Sequence, residues 1–391
     1  MGLYRDIYGW ETGLNYGLVT SGATTDWVKN AAQARTGSYF GKTVNTAGTY
    51  QFTRAHTPVL SIAASSADRF KAVLRLYLYL VTAPDVTNSI IIRIGDGAGA
   101  SGDAEVQLNT TGGFRVRAGF SGAVSAYSAN LPTGSWLKCE VTWELIRNAG
   151  ATYTETLTAT INGVTAAITP ASGADAAGAQ NLDRVEFGFV ATSATAGEIW
   201  WDDLVYILSS TPDQASAVLP TATKIRLVPV VGQGASAAWT NGFANVQELP
   251  LATGGSSVDT STNGAITTYT HDPAADLGLS SVQVTKIYGH LKASGGASTH
   301  QIRWNGSNTA VALTTAYQTG VSTPMAVDWT TLTATQFNAA EFGAVNSTGV
   351  AVELGAIHAE VLYIDAEAVF SAAGAIRGDS IGLKYVEFTD A

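Results

Sequence analysis

The feature that most constrains this chain is a period of two in its apolar residues. Over residues 69–80, Phe70, Ala72, Leu74, Leu76, Leu78 and Leu80 alternate with Arg69, Lys71, Arg75, Tyr77 and Tyr79. Successive side chains of an extended strand point to opposite faces, so the pattern puts one face in a core and leaves the other polar and aromatic. Each leucine or phenylalanine fully buried this way contributes about 1.5–3 kcal/mol. Phe114, Val116, Ala118 and Phe120 alternate with Arg115 and Arg117 in the same way. Leu157, Ala159 and Ile161 alternate with threonines and then meet Asn162-Gly163, a pair that favours a type I′ hairpin turn. Further strands are expected at 185–189, 198–208, 224–230, 282–291, 300–304 and 350–364, with one short helix at 332–337 starting near Thr331 or Thr333. Strands separated by turn signals, with almost no helix, predict an all-β chain built as sandwiches.

At 391 residues the chain exceeds what one core holds, since single cores stop growing near roughly 250–300 residues. Residues 209–221 carry Pro212 and Pro220 among small polar residues without periodicity, the composition of a linker. The expected organisation is two tandem jelly-roll-like β-sandwich domains, 1–208 and 222–365, joined by that linker. An internal repeat supports it: Val185-Glu-Phe-Gly-Phe189 leads to Asp203-Leu-Val-Tyr-Ile207, and Ala340-Glu-Phe-Gly-Ala344 leads to Glu360-Val-Leu-Tyr-Ile364. Residues 366–391 follow the second closing strand. They end on an alternating Ile381, Leu383 and Tyr385, read as a C-terminal assembly segment that pairs with a sheet edge of a neighbouring subunit.

Charged residues make up 13% of the chain, against about 25% in ordinary soluble proteins, so the surface is mostly neutral and polar, as in extracellular and virion proteins. The net charge of −10 argues against nucleic acid and against an anionic membrane surface as partners. No apolar run reaches the roughly 18 residues of a membrane span. Met1 to Asp6 show no signal-peptide pattern, so a route outside the cell by lysis or assembly is expected. The lone Cys139 excludes an internal disulfide or a multi-thiolate zinc site. It shares a strand face with Leu137, Val141 and Trp143, which reads as a buried apolar thiol.

Gly9-Trp-Glu-Thr-Gly13, Arg35-Thr-Gly-Ser-Tyr-Phe-Gly41 and Glu198-Ile-Trp-Trp-Asp-Asp-Leu-Val-Tyr206 resemble, in that order, signatures of the concanavalin-like and carbohydrate-binding-module jelly rolls. That resemblance implies a structural calcium ion held by Glu11 with Asp202 or Asp203 and carbonyls near 35–38; the plainer alternative is that Glu11 caps a turn and the Asp pair ends a solvent face. The stretches 327–343 and 357–363 resemble domains of minor tail and fibre proteins of bacteriophages. This second resemblance implies a virion component, in a tail, a fibre or a head decoration.

Arg75, Tyr77 and Tyr79 form a ladder opposite the leucine stripe, suited to stacking a sugar or to a subunit contact. Trp200 and Trp201 are adjacent, so one faces the core and the other outward. The glycine-rich stretch 95–103 opens no helix and reads as a loop, and Arg377-Gly-Asp379 as incidental. Glycosidases need two carboxylates about 5–9.5 Å apart. No acidic triplet at alternate positions, as in Glu-x-Asp-x-Glu, exists in the chain, and the five histidines show no ligand spacing, so no catalytic residue is expected. The resulting expectation is a non-enzymatic attachment protein of a virion that partners other virion proteins, forms a homo-oligomer and binds host surface glycans. A bacterial carbohydrate-binding adhesin is the alternative and a glycan-active enzyme the third reading.

Overall fold

A computed structural model of the chain describes residues 3–365, apart from 11–17, 23–24, 47–48, 63–68, 96–102, 120, 149–151, 175–179, 191–194, 210–218, 248–256 and 318–324. The alternation is realised as strands throughout. The first seven are β1 (Leu3–Tyr8), β2 (Val19–Ser21), β3 (Thr25–Lys29), β4 (Tyr39–Val44), β5 (Tyr50–Ile62), β6 (Arg69–Thr82) and β7 (Ser89–Gly95). They are followed by β8 (Ala104–Leu108), β9 (Phe114–Arg117), β10 (Trp136–Asn148), β11 (Thr152–Ile161), β12 (Val164–Ala174), β13 (Gln180–Val190) and β14 (Glu198–Ser209). Sheet I runs β12-β11-β10-β6-β14-β4-β3, with β1 also on β14, and sheet II runs β2-β5-β13-β7-β8-β9. The leucine face of β6 and the face of β10 that holds Cys139 are buried in one core with Phe114, Phe187 and Trp201. Asn162 and Gly163 take φ of 50° and 80°, the left-handed pair that a type I′ turn between β11 and β12 requires.

The second half repeats the scheme with β15 (Lys224–Val228), β16 (Val230–Ala237), β17 (Val258–Thr260), β18 (Ile266–His271), β19 (Leu279–Ala293) and β20 (Ser298–Trp304). Then come β21 (Ser307–Leu313), β22 (Met325–Asp328), β23 (Leu332–Thr333), helix α1 (Ala334–Asn338), β24 (Phe342–Val345) and β25 (Val352–Asp365). Sheet III runs β15-β25-β19-β22 and sheet IV runs β16-β18-β24-β20-β21. The expected strand at 224–230 is two strands in different sheets. Pro229 divides them, having no N–H to give a ladder. Thr333 caps α1 through a full capping box with Gln336, which explains so short a helix.

The sequence repeat has a structural counterpart. In each half the Glu-Phe-Gly strand (β13, β24) lies in the sheet remote from the other half, and the closing strand (β14, β25) lies in the near one. Phe187 and Phe342 both enter the core. A Cβ on Gly188 would fall on the backbone of Tyr50 and one on Gly343 on the backbone of Thr267, so both positions are closed to any side chain. The outer faces of sheets I and III meet through Ile7, Val205, Ala222, Ile225, Val284 and Leu362, all buried. The layers therefore run II, I, III, IV.

Candidate functional site

The outer face of sheet I has two ends, and the second half covers only one of them. At the covered end, Val73 and Ile207 pack with Leu219 and Trp329, and the guanidinium of Arg5 lies 5.5 Å from the Trp329 ring centre. This cover divides the expected Arg75, Tyr77 and Tyr79 ladder. Arg75 is buried. Its Nε donates to Glu140 at 2.9 Å and its Nη1 to the carbonyls of Pro220 and Ala222 at 2.7 and 2.8 Å. Tyr77 lies beneath the Arg35 guanidinium, 3.3 Å from the ring centre. Of the three, only Tyr79 stays half-exposed.

Asp202 and Asp203 sit at an irregularity in β14, where its partner strand changes from β4 to β1. Asp203 takes a φ of 49°, a left-handed conformation that aspartate tolerates and that turns both carboxyls toward the junction. Asp202 accepts from the backbone N–H groups of Asp203, Arg35 and Thr36 at 2.8, 3.1 and 3.3 Å. Asp203 accepts from the Thr36 hydroxyl at 2.9 Å, from the Ile225 N–H at 2.7 Å and from the Arg35 guanidinium. All four carboxylate oxygens thus take protein donors. With every oxygen taken by an N–H, hydroxyl or guanidinium donor, the pair in this arrangement fits an arginine rather than a calcium ion. Glu11 lies outside the described residues.

A second buried cluster sits in the same junction. The Lys286 ammonium is fully buried, 2.7 Å from Asp6 Oδ1, 2.8 Å from the Ile7 carbonyl and 3.5 Å from the Tyr8 ring centre. Tyr288 donates to Glu360 at 2.8 Å, and burial together with the Glu360 charge holds its phenol well above its usual titration range. This second cluster was not expected, because Asp6, Lys286 and Glu360 lie far apart in sequence.

The uncovered end of sheet I is aromatic. Tyr79 stacks on Trp200 with ring centres 4.5 Å apart and planes at 15°. Trp136 stands edge-on to Tyr79 at 5.6 Å, and Phe40 packs on Trp200 at 4.9 Å. Cross-strand register makes the group: Trp136 lies opposite Tyr79 on β10 and β6, and Tyr79 opposite Trp200 on β6 and β14. Glu198 accepts from the Trp200 indole N–H at 2.7 Å and pairs with Lys42 at 2.9 Å. Trp136 donates to the Gln33 carbonyl at 2.9 Å. These hydrogen bonds fix the rings. Tyr79 and Trp136 present half-exposed faces beside one ion pair.

Sheet II carries a charged row that the sequence reading missed. Glu186, Arg93, Glu105 and Arg117 are register partners across β13, β7, β8 and β9. Arg93 Nη1 donates to Glu186 at 3.4 Å, its Nε lies 3.7 Å from Asp103, and Arg117 donates to Glu105 at 3.2 Å. Gln51 donates to Glu186 at 2.9 Å and Gln107 to Glu105 at 2.6 Å. Burial pushes the Glu186 carboxyl above its ordinary range, against the pull of Arg93 and Arg184. Asp103-Ala-Glu105-Val-Gln107 does alternate, so part of the signal was visible. The addition of Glu186 needed the fold.

No family model and no curated protein matches the chain by sequence. Among solved structures, the chain is similar to the conserved carbohydrate esterase of Shiga toxin-encoding bacteriophage phi24B, at 13% identity over 54% of this chain and 100% of that one, TM-score 0.33. It is similar to an alginate lyase from Chlorella virus, at 11% identity over 49% and 92%, TM-score 0.33. It is also similar to peanut lectin, at 10% identity over 54% and 98%, TM-score 0.33. The chain is an all-β protein of jelly-roll-like β-sandwiches. The expectation that it is not an enzyme does not stand: the solved structures of similar fold include a carbohydrate esterase and an alginate lyase.

Proposed function

We propose that the chain recognises glycans through the aromatic platform of sheet I. One observation carries this: Tyr79 and Trp136, half-exposed and locked by Trp200, Phe40 and the Lys42–Glu198 pair, lie at the end of the face that the second half leaves open. Rigid rings with an apolar body bind the C–H face of a sugar at little entropic cost, and the flanking charges meet its hydroxyls. The setting proposed is a phage virion, where the protein joins other virion proteins as a homo-oligomer. The resemblance of 327–343 and 357–363 to tail and fibre domains supports that setting. The assembly segment 366–391 and most of the linker lie outside the described residues. A glycan array probed with the whole chain tests the recognition. Tyr79→Ala and Trp136→Ala should each lower binding about tenfold, the loss of about 1.4 kcal/mol of contact. Unchanged binding in both would refute the platform.

A second reading, glycan turnover, is favoured by the charged row on sheet II. Incubating array-positive polysaccharides with the chain and measuring new reducing ends tests it. Release lost in Glu105→Gln or Glu186→Gln would support catalysis there, and absence of release would refute it.

A further inference from the structure

The second half has a cavity of about 260 Å³ at one end of its sandwich, between the tip of the β20–β21 hairpin and the end of β22. Its wall includes Trp304, Asn305, Ser307, Thr309, Asp328 and Thr330. It lies between the edge strands of sheets III and IV and shares no lining residue with the platform or the charged row.

The chemistry of the wall is specific. Asp328 Oδ2 accepts from the Trp304 indole N–H at 2.9 Å, and Oδ1 accepts from the Thr330 N–H at 2.9 Å. The carboxylate is therefore oriented, and each oxygen keeps a lone pair for a further donor. Trp304 is buried and held from within by Phe337 and Phe342, both with ring centres 6.4 Å away. Asn305 and Gly306 take φ of 46° and 83°, so the hairpin tip is a tight left-handed turn. The Asn305 N–H is anchored on the Glu341 carbonyl at 2.9 Å. The side chains of Asn305, Ser307, Thr309 and Thr330 take no protein partner among the described residues. A fixed acceptor, an amide and three hydroxyls thus surround one indole edge.

We propose that this cavity binds a single neutral sugar residue. Its volume falls just below the roughly 300–1,000 Å³ of pockets for drug-sized ligands, which suits one ring and not a chain. Among the described residues Asp328 is the only acidic or basic side chain in the wall, so an anionic ligand would be disfavoured there, while sugar hydroxyls can donate to its carboxyl oxygens and accept from the amide and hydroxyls. The site deepens the glycan reading and takes its ligand class from it, but it stands apart from the platform and can fail separately.

The test is saturation-transfer NMR on the full chain with methyl glycosides of glucose, galactose, mannose and N-acetylglucosamine, a methyl uronide and an amino sugar. At least one neutral glycoside should bind with a dissociation constant on the order of 1 mM. Asn305→Gly keeps the left-handed turn and removes the amide, and Ser307→Arg fills the mouth from an exposed position. Both should weaken that binding at least tenfold, and by the same factor in protein whose platform has been removed by Tyr79→Ala. Thermal melts of the variants identify any that fail to fold. Binding of no neutral glycoside, tightest binding of the uronide or the amino sugar, or binding insensitive to both cavity variants in folded protein would overturn the proposal. Loss in Tyr79→Ala alone would place the ligand on the platform instead.

Discussion

Replacing Lys286 by methionine should show how strongly the two halves are joined. The ammonium is 0% exposed and touches Asp6 at 2.7 Å and the Ile7 carbonyl at 2.8 Å, so it holds an ion pair between β19 of the second half and β1 of the first. Methionine keeps most of the volume but takes from Asp6, itself 3% exposed, the ammonium that faces its carboxyl, leaving the Ile7 N–H and the Tyr8 hydroxyl among its donors. Breaking a buried pair on one side costs about 3–5 kcal/mol, a large share of the roughly 5–15 kcal/mol that a folded protein has in all. Removing both charges, as Lys286→Met with Asp6→Leu, should recover most of that loss, because replacing a buried pair by apolar groups is often neutral. The assay is urea unfolding of the full chain followed by tryptophan fluorescence and circular dichroism. The wild type should unfold in one transition, and Lys286→Met should split it as the halves uncouple. A single variant within about 1 kcal/mol of wild type, still unfolding in one step, would refute the argument that this contact couples the halves.

Other outcomes follow from the same geometry. His271 is packed 4.2 Å from Phe337 between ring centres, and burial lowers its pKa, so the folded state resists protonation. Its contribution is then constant above about pH 6.5 and is lost as pH falls below that value, at about 1.4 kcal/mol per pH unit for one proton. Melts from pH 7.5 to 5 should show this slope in the wild type, flattened in His271→Phe; equal slopes would count against it. Cys139 is fully buried, and burial raises its thiol pKa far above the usual range, so a thiol reagent should react only after denaturation. Because Arg35 already neutralises Asp203, a chelator should leave the melting temperature unchanged. A fall of several degrees would show that a cation holds this part of the chain.

What the sequence determined by itself is the local part of the structure. The leucine stripe of β6, the Asn162-Gly163 turn, the Thr333 start of α1 and the opposed faces of Trp200 and Trp201 all follow from interactions within a few residues of chain. Alternation reports which face of a strand is apolar, and the Glu-Phe-Gly repeat reported the shared plan of the halves for the same reason. Tertiary structure decided what covers the other face. Arg75 and Tyr77 alternate as solvent-facing residues do, yet the carbonyls of Pro220 and Ala222 lie over Arg75 and the Arg35 guanidinium over Tyr77, whereas Tyr79, two positions further along the same strand, stays open. The row from Glu186 to Arg117 and the pair of Lys286 with Asp6 exist only through strand order and sheet-on-sheet contact. A period of two names a face. It carries no information about which distant strand, or which other domain, will lie against it.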